Sequence, residues 1–283
     1  MIDAVVARVW PGADARVEPL GGGITNRNFR VEVGGESFVL RIGGKDTELL
    51  GIDREAEHGA SVVAARLGVG PEVVAFVEPE GYLVTRYVEG EAGRVDAERA
   101  APLLRRVHDG PRIPARFDSF RVVEAYCSTA AARGVRAPDA YDRAKATADE
   151  IERRLGPRPL RPCHNDLLAA NFIDAGERLW IVDWEYAGMG DPAFDLANFA
   201  VNNELDEDGE AALLAAYSTG DVQVLIHHLV LMRFMSDFRE AMWGVVQQAI
   251  SELDFDFRAY ADEHFERAGR TAAEPRFARA LRS

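Results

Sequence analysis

The sequence predicts an α+β fold in two lobes: a small N-terminal lobe with an antiparallel β-sheet and one helix, and a larger C-terminal lobe made mainly of helices. The first observation is that alternating apolar residues dominate the first part of the chain, whereas apolar residues at helical spacing dominate the rest. The second is that the 283 residues contain no repeat and no low-complexity linker. We therefore expect one compact body. The lobe boundary is placed at the end of a strand-like stretch, with residues 1–89 in the first lobe and residues 90–283 in the second.

The formal net charge of −14 limits the classes of partner. Nucleic acids and anionic membrane surfaces attract clusters of lysine and arginine, so neither is expected to bind this chain, whereas a small cationic substrate is favoured. Two cysteines are too few for a disulfide framework, and no Cys/His cluster has zinc spacing. No basic and apolar leader and no stretch of roughly 20 apolar residues is present. We expect a cytoplasmic protein, and its assembly, monomer or homodimer, stays open.

The first lobe is predicted to contain a helix at residues 2–10 and two strands centred on residues 29–33 and 38–42. Before these strands, a glycine-rich segment at residues 20–28 interrupts all periodicity. Its glycines allow backbone N–H groups to approach phosphate oxygens, and its polar side chains add donors. The candidate phosphate contacts in this segment are Gly22, Gly23, Thr25 and Asn26. A plain turn without a ligand is the alternative.

A cation on the next strand strengthens the phosphate-binding interpretation. Arg41 lies near the end of that strand, and its guanidinium can bind phosphate oxygens in a bidentate manner. Lys45 is a second candidate, with an exposed loop lysine as the alternative. Residues 53–67 then carry the apolar stripe of a helix, and residues 81–90 are typical of a strand that leads out of the lobe.

The second lobe is predicted to begin with helices at residues 96–160. An amphipathic stretch precedes Pro111, and an Ala- and Arg-rich helix at residues 126–155 is stopped by two prolines. Asp191 is expected to cap a helix that begins at Pro192, because proline suits the first helical turn. Apolar residues recur at helical spacing again over residues 226–251.

The segment between residues 162 and 200 carries the chemistry. Asp166 and Asn171 stand five residues apart on a predicted loop, and Asp183 follows twelve residues after Asn171. Two apolar runs flank a turn rich in acids and glycine, which predicts a hairpin that brings Asn171 and Asp183 side by side. Phosphoryl transfer requires a carboxylate that receives a hydroxyl proton and oxygen ligands for Mg²⁺. Capping of strand ends by Asn171 and Asp183 is the alternative.

This segment resembles the aminoglycoside-phosphotransferase and choline/ethanolamine-kinase group, whose fold is similar to that of protein kinases. The shared motifs are His-x-Asp-x-x-x-x-Asn, here at residues 164–171, and Asp-Phe/Trp-Glu, here at residues 183–185. The resemblance implies a protein-kinase-like fold and ATP and Mg²⁺ as the nucleotide and metal.

The resemblance also assigns a role to each motif residue. Asp166 is implied to be the catalytic base, which orients the acceptor hydroxyl and receives its proton. Asn171 and Asp183 are implied to hold the metal. His164 and Asp195 are implied to be structural residues that brace the catalytic loop.

The N-terminal half extends this resemblance. The Leu-Arg-hydrophobic-x-Gly sequence around Arg41 is similar to the end of the third strand of choline kinases. Glu57 stands thirteen residues before Gly70, the offset at which the choline-kinase pattern places a helix glutamate, so we pair Glu57 with Arg41. Glu55 is the competitor. The residues whose backbone is expected to contact adenine are Arg86, Tyr87 and Val88.

Residues 241–261 resemble the C-terminal segment of eukaryotic choline kinases, with its Trp-x-x-x-Gln-x-x-x-Ser core. Aromatic faces attract quaternary ammonium groups, and each contributes ~0.5–2 kcal/mol. The candidate cage consists of Tyr186, Trp243 and Tyr260, with Glu185 as a further substrate contact. An aromatic stripe of this kind also fits a packed core, and Phe255 is expected there.

Glu240 is a departure from the choline-kinase pattern, which has tryptophan at that position. The change removes one wall of the cage. It introduces either a carboxylate for a cationic head group, which favours ethanolamine or another primary amine over choline, or a residue that faces water.

These observations predict an ATP- and Mg²⁺-dependent kinase that phosphorylates the hydroxyl of choline, ethanolamine or a similar amino alcohol. Phosphorylation of an aminoglycoside or of another small molecule such as thiamine is the alternative within the same fold. An inactive nucleotide-binding module is the alternative from a different class.

Overall fold

The computed structural model describes residues 2–21, 26–218 and 222–283. The N-terminal lobe is built on one antiparallel sheet of five strands in the order β1-β2-β3-β5-β4. The strands are Ala15–Leu20 (β1), Asn26–Val33 (β2), Glu36–Gly43 (β3), Val73–Val77 (β4) and Tyr82–Arg86 (β5). Gly34 and Gly35, both with positive φ, close the β2–β3 hairpin, and they adopt this backbone geometry without the strain that a side chain would add.

Two helices accompany this sheet, Ile2–Val9 (α1) and Arg54–Arg66 (α2), together with a 3₁₀ turn at Thr47–Leu50. Val5 and Val6 of α1 are buried in the same apolar core as the sheet. The lobe therefore has one helix more than the predicted fold assigns to it. The periodicity of residues 2–10 already indicated this additional helix.

The second lobe is mainly helical. Its helices are Ala97–His108 (α3), Ser119–Ala132 (α4), Ala140–Leu155 (α5), Pro192–Asn202 (α6), Glu207–Tyr217 (α7), Val222–Ile250 (α8), Phe257–Ala273 (α9) and Pro275–Arg282 (α10). The 29-residue helix α8 packs against α4, α6 and α9 at the centre of the apolar core. None of the helices in the described ranges is both long and apolar enough to cross a bilayer.

The sequence-based boundaries of the helices are correct in one place and wrong in another. Asp191 caps α6 as predicted, since its side chain accepts a hydrogen bond from the backbone of Ala193. The single helix predicted at residues 126–155 is wrong, because the chain forms α4 and α5 with a break between them. Gly134 adopts φ 82° in that break, and Pro138 follows it.

Short paired strands connect the loops of the second lobe to one another. Glu91–Ala92 (β6), Phe172–Asp174 (β8) and Leu179–Ile181 (β9) form one sheet, and Arg161–Cys163 (β7) pairs with Gly188–Gly190 (β10). The β8–β9 hairpin confirms the predicted one. β10 pairs antiparallel with β7 before α6 begins, a pairing that the sequence analysis did not predict.

Candidate active site

The loop that carries Asp166 is fixed by a buried carboxylate. Asp195, on α6, is fully buried and accepts hydrogen bonds from the backbone N–H groups of His164 at 2.8 Å and Asn165 at 2.6 Å. His108 Nε2 contacts the same carboxylate at 3.0 Å. Asn165 adopts φ 66°, an uncommon geometry for a residue with a side chain, and these bonds hold it there. The geometry agrees with the bracing role that the sequence predicts for Asp195.

The His164 ring joins this loop to the strand region that precedes Asp183. Its Nε2 lies 3.0 Å from the carbonyl oxygen of Val182, and its Nδ1 lies 3.3 Å from the backbone nitrogen of Asp166. Burial lowers the pKa of His164, which favours a neutral ring. A neutral, enclosed imidazole fits a structural role.

Asn171 and Asp183 lie together at the open end of the β8–β9 hairpin. The backbone N–H of Val182 donates to the carbonyl of Asn171 at 2.9 Å. The Asn171 side chain donates from Nδ2 to the carbonyl oxygen of Asp166 at 2.8 Å, which leaves its Oδ1 as an oxygen ligand. Burial opposes ionisation of Asp183, but Arg41 outweighs it and lowers the pKa of this carboxyl. An amide oxygen and an ionised carboxylate that line the same cavity form a donor set that suits Mg²⁺.

A network of charged side chains connects the two lobes next to these residues. Arg41 of β3 donates to Glu57 of α2 at 3.0 Å, the expected pair, and it also contacts Asp183. Arg54, which the sequence analysis missed, donates to Glu57 at 2.7 Å and to Glu185 at 3.3 Å. Its position three residues before Glu57 on a helix is the signal that was available. Arg41 is therefore held between two carboxylates, with its charge next to the candidate metal ligands.

Glu185 faces the N-terminal lobe. It accepts a hydrogen bond from Asn26 Nδ2 at 2.8 Å in addition to its contact with Arg54. Burial and the neighbouring Asp183 carboxylate raise the pKa of Glu185 to about 8. The predicted contact between Glu185 and substrate stays a prediction.

A cavity of about 600 Å³ lies between the lobes. One end lies beside residues 86–88, where the chain leaves the first lobe; we call these residues the hinge, and this hinge end is suited to a flat apolar ring. The described residues that line this end are Leu20, Val39, Leu83, Arg86, Tyr87, Val88, Leu168, Ile173 and Val182. The backbone N–H of Arg86 donates to Glu72, and that of Tyr87 donates to Ser37. Any contact of Arg86 and Tyr87 with adenine therefore involves groups other than these two amides. The predicted phosphate contacts Gly22, Gly23 and Thr25 lie outside the described residues.

The other end of the cavity is aromatic and acidic, and we call it the acceptor end. It consists of Asp166, Tyr186, Arg239, Glu240, Trp243 and Tyr260. The rings of Trp243 and Tyr260 meet edge to face with centroids 5.5 Å apart, and Trp243 Nε1 donates to the Tyr186 hydroxyl at 3.2 Å. The structure brings the three predicted cage residues together.

The structure excludes one of the two alternatives for Glu240, and it contradicts the expectation for Phe255. Glu240 does not face water: it is 4 % exposed, and it accepts a hydrogen bond from the Tyr260 hydroxyl at 2.8 Å. Phe255 is not a core residue, because 44 % of it is exposed. It lies in the connection between α8 and α9, where its ring contacts Phe257 and Tyr260 without being covered.

Arg239 is the main residue of the acceptor end that sequence reasoning missed. It is 1 % exposed, donates from Nη1 to Asp166 at 3.0 Å and also contacts Glu240. Its guanidinium carbon lies 4.5 Å from the centroid of the Tyr186 ring. The available signal was a group of charged residues, Asp237, Arg239 and Glu240, inside a mainly apolar helical stretch.

The environment of Asp166 brings the pKa of its carboxyl close to neutral pH. Burial raises the pKa of Asp166 to about 7, against the opposing effect of Arg239. A base works best when its pKa lies near the working pH, so this value suits general-base chemistry. The two carboxylates of the segment differ in environment: burial raises the pKa of Asp166, and Arg41 lowers the pKa of Asp183.

Known proteins resemble this chain over most of its length. The model of the phosphotransferase enzyme family (APH) matches residues 16–227. Protein LicA of Haemophilus influenzae is 28% identical over 83% of this chain and 75% of its own length. Ethanolamine kinase 2 of Mus musculus is 27% identical over 89% of this chain and 75% of its own. A thiamine kinase of Escherichia coli is 30% identical over 77% of this chain and 76% of its own.

Solved structures share the fold. The crystal structure of a choline/ethanolamine kinase family protein from Mesorhizobium loti superposes with a TM-score of 0.84 and 32% identity, over 99% of this chain and 98% of that one. A structure of LicA in complex with AMP superposes with a TM-score of 0.80 and 24% identity, over 96% of each chain.

Proposed function

The chain belongs to the phosphotransferase enzyme family, and from that premise we propose that it transfers the γ-phosphate of ATP to the hydroxyl of a small cationic amino alcohol. Choline and ethanolamine are the leading acceptors. The observation that carries the proposal is a single cavity of about 600 Å³, lined by hinge residues, by Asp166, and by the aromatic and acidic residues of the acceptor end. One cavity of this composition accommodates a nucleotide and a cationic alcohol together.

In this proposal Asp166 orients the acceptor hydroxyl and receives its proton as the oxygen attacks the γ-phosphate. The fixed loop supports this role, because the backbone bonds to Asp195 leave the carboxylate little freedom to move away from the hydroxyl. Arg239 holds the other side of the carboxylate through its bond to Oδ1.

Arg41 is proposed to neutralise charge on the transferring phosphate. It carries a permanent positive charge between Glu57 and Asp183, so its position is fixed before the nucleotide binds. The amide oxygen of Asn171 and the ionised Asp183 carboxylate would hold Mg²⁺, and their donor chemistry fits that ion. Magnesium bound there supplies further neutralisation of the nucleotide phosphates.

The acceptor end supports a cationic amino alcohol as the substrate. The faces of Trp243 and Tyr260 attract a positive charge, next to Tyr186, whose ring already carries the Arg239 guanidinium. The buried Glu240 carboxylate adds a negative group beside them. A primary or secondary amine can also donate hydrogen bonds to this carboxylate, which a quaternary ammonium group cannot. Glu240 therefore favours ethanolamine over choline.

Thiamine is the second candidate acceptor, because the chain is 30% identical to a thiamine kinase. Its aromatic cation would also interact favourably with the rings of the acceptor end. An aminoglycoside is a weaker candidate. Such a polycation requires several dispersed acids, whereas the described acceptor end has two carboxylates.

The deciding experiment is an ADP-release assay with Mg²⁺ and ATP against choline, ethanolamine, their methylated intermediates, thiamine and several aminoglycosides. Acceptor-dependent ADP release with an amino alcohol is the expected result. Turnover with an aminoglycoside alone would preserve the kinase chemistry and refute the proposed acceptor. The absence of both ADP release and nucleotide binding would refute the proposal as a whole.

The aromatic cage is tested by replacing Trp243 with leucine. We expect kcat/KM for the amino alcohol to fall by about tenfold or more, since one π face and the bond to Tyr186 are lost. The matched control is Trp180→Leu, because Trp180 lies on β9, where Arg178 stacks on its ring away from the cavity lining. Equal kcat/KM values for the two variants would contradict the cage.

A further inference from the structure

The charges of the groups at the acceptor end do not sum to zero. Among the described residues that form it, Asp166 and Glu240 carry carboxylates and Arg239 carries the one guanidinium, which leaves one negative charge when both acids are ionised. The other charged groups that line the cavity have partners of their own. Arg41, Glu57, Asp183 and Glu185 form the network with Arg54, and Arg86 pairs with Glu36.

Arg239 already uses features that a cationic substrate would use. Its guanidinium lies over the ring of Tyr186, and its Nη1 bonds to the carboxylates of Asp166 and Glu240. It is 1 % exposed, so this arrangement is part of the packed interior. Its Nε and Nη2 have no hydrogen-bond partner in the portion of the chain that the structure describes. One positive charge of the protein thus occupies an aromatic face and balances one of the two acids.

We propose that Arg239 is a specificity-determining residue, which restricts the acceptor to molecules that carry one positive charge. The proposal rests on the proposed kinase function of the same site and adds the rule by which the site selects among cations. A monocation balances the remaining negative charge. A dication leaves one positive charge without a counterion in an enclosed pocket, where an uncompensated charge is strongly disfavoured.

The rule can be tested with two acceptors of equal size and different charge. Both acceptors carry permanent charges: (2-hydroxyethyl)dimethyl(4,4-dimethylpentyl)ammonium is a monocation, and its analogue with a trimethylammonium group in place of the terminal tert-butyl group is a dication. Wild type is expected to prefer the monocation in kcat/KM by about tenfold or more, because a unit charge near buried groups shifts binding by at least that factor. Both acceptors are compared at the same pH, on the alkaline side of neutrality, where carboxyl groups are ionised and the permanent charges of the acceptors do not change.

Three variants change the charge of the pocket in steps. Arg239→Met removes the positive charge with little change in length, Glu240→Gln removes one negative charge, and the double variant restores the wild-type balance. We expect Arg239→Met to reduce the preference for the monocation by about tenfold or to invert it. Glu240→Gln is expected to weaken binding of both cations, and the double variant is expected to recover the wild-type preference. The double variant separates charge from shape, because it has the same altered packing at position 239.

Calorimetric binding of the two cations without nucleotide gives a readout that is independent of turnover. If neither the wild type nor any variant turns over an acceptor, the proposed function fails. The binding preference between the two cations then still tests the charge rule. A folded Arg239→Met protein with the wild-type preference would overturn the rule. If Arg239→Met does not fold, the double variant decides: loss of the wild-type preference there would also overturn it.

Discussion

Two aspartates seventeen positions apart in the sequence have opposite protonation behaviour in the same site. Asp166 is buried beside another carboxylate, and burial raises its pKa to about 7. Asp183 is also buried, but contact with Arg41 lowers its pKa. Such a separation of pKa values supports the two proposed roles, since the first carboxylate can exchange a proton near neutral pH and a lowered pKa favours the ionised form of the second.

The role of Asp166 predicts the effect of replacing it with asparagine. The amide keeps the size of the side chain and the bond to Arg239, but it cannot accept the hydroxyl proton. We expect kcat to fall by about 10²–10⁴-fold while the Kd for the nucleotide changes little. Steady-state ADP release and nucleotide titration measure the two quantities. An unchanged kcat would remove Asp166 from the reaction.

The raised pKa of Asp166 also predicts a pH profile. The base must be unprotonated to act, so kcat/KM should be low below pH 6, rise through about pH 7 and level off above that value. Arg239 lowers the pKa of Asp166, so Arg239→Met should move the midpoint to higher pH. An acid limb centred near pH 4, the ordinary range of an aspartate, would contradict the assignment.

At the scale of elements, the acceptor end depends on how closely α9 approaches α8. Gly244 marks the contact, because a Cβ built there would lie 3.0 Å from the carbonyl oxygen of Phe257, 3.0 Å from Tyr260 Cδ1 and 3.1 Å from Ala261 Cβ. A helix interior favours alanine over glycine by about 1 kcal/mol, so the glycine is retained against helix propensity. The space that it leaves allows Tyr260 to reach Glu240.

We therefore expect Gly244→Ala to displace α9 by a few tenths of an ångström and to raise KM for the acceptor several-fold. KM for ATP should stay the same, because the hinge lies at the other end of the cavity. The control is Gly269→Ala on α9, where a Cβ meets no atom within 4 Å and should stabilise the helix by about 0.5–1 kcal/mol. Steady-state kinetics and thermal unfolding of both variants test this expectation. Equal acceptor KM values would show that the close contact is unimportant for the site.

The elements that the sequence predicts are those specified by local signals. The β8–β9 hairpin has its turn residues and both apolar runs within one short stretch, so the proximity of Asn171 and Asp183 followed from spacing alone. The β7–β10 pair could not be predicted, because each strand has three residues and the partners are far apart in the chain. The break between α4 and α5 was missed because its flanks have the same Ala- and Arg-rich composition.

The site residues that the sequence predicts and those that it misses also differ in whether a local pattern specifies them. The contact of Arg239 with Asp166 spans 73 positions and depends on how α8 packs against the catalytic loop, which no local pattern specifies. Phe255 was misplaced for a related reason. An aromatic residue at helical spacing is consistent with burial, but the connection between α8 and α9 leaves that position exposed. Composition predicts that a residue can be buried, and only the packing of elements decides whether it is.

At the scale of the whole molecule, a cluster of polar contacts beside the cavity joins the two lobes. Arg41 and Arg54 extend from the first lobe to Asp183 and Glu185 of the second, and Asn26 adds a hydrogen bond to Glu185. A ligand that bridges the cavity adds contacts to both lobes. Nucleotide binding should therefore stabilise the complete fold, since a ligand that binds only the folded state shifts the unfolding equilibrium.

We expect Mg²⁺ with ATP at a hundred times its Kd to stabilise the protein by about 2.7 kcal/mol, which corresponds to a rise in Tm of roughly 4–5 °C for a chain of 283 residues. EDTA should remove most of this rise for wild type, because the phosphates then lose the charge neutralisation at Asn171 and Asp183. Asp183→Asn should show a smaller rise that EDTA does not change. Asp149→Asn is the control for loss of one carboxylate, since Asp149 pairs with Lys145 on the surface of α5. A rise in Asp183→Asn that equals that of wild type and is equally sensitive to EDTA would refute Asp183 as a metal ligand.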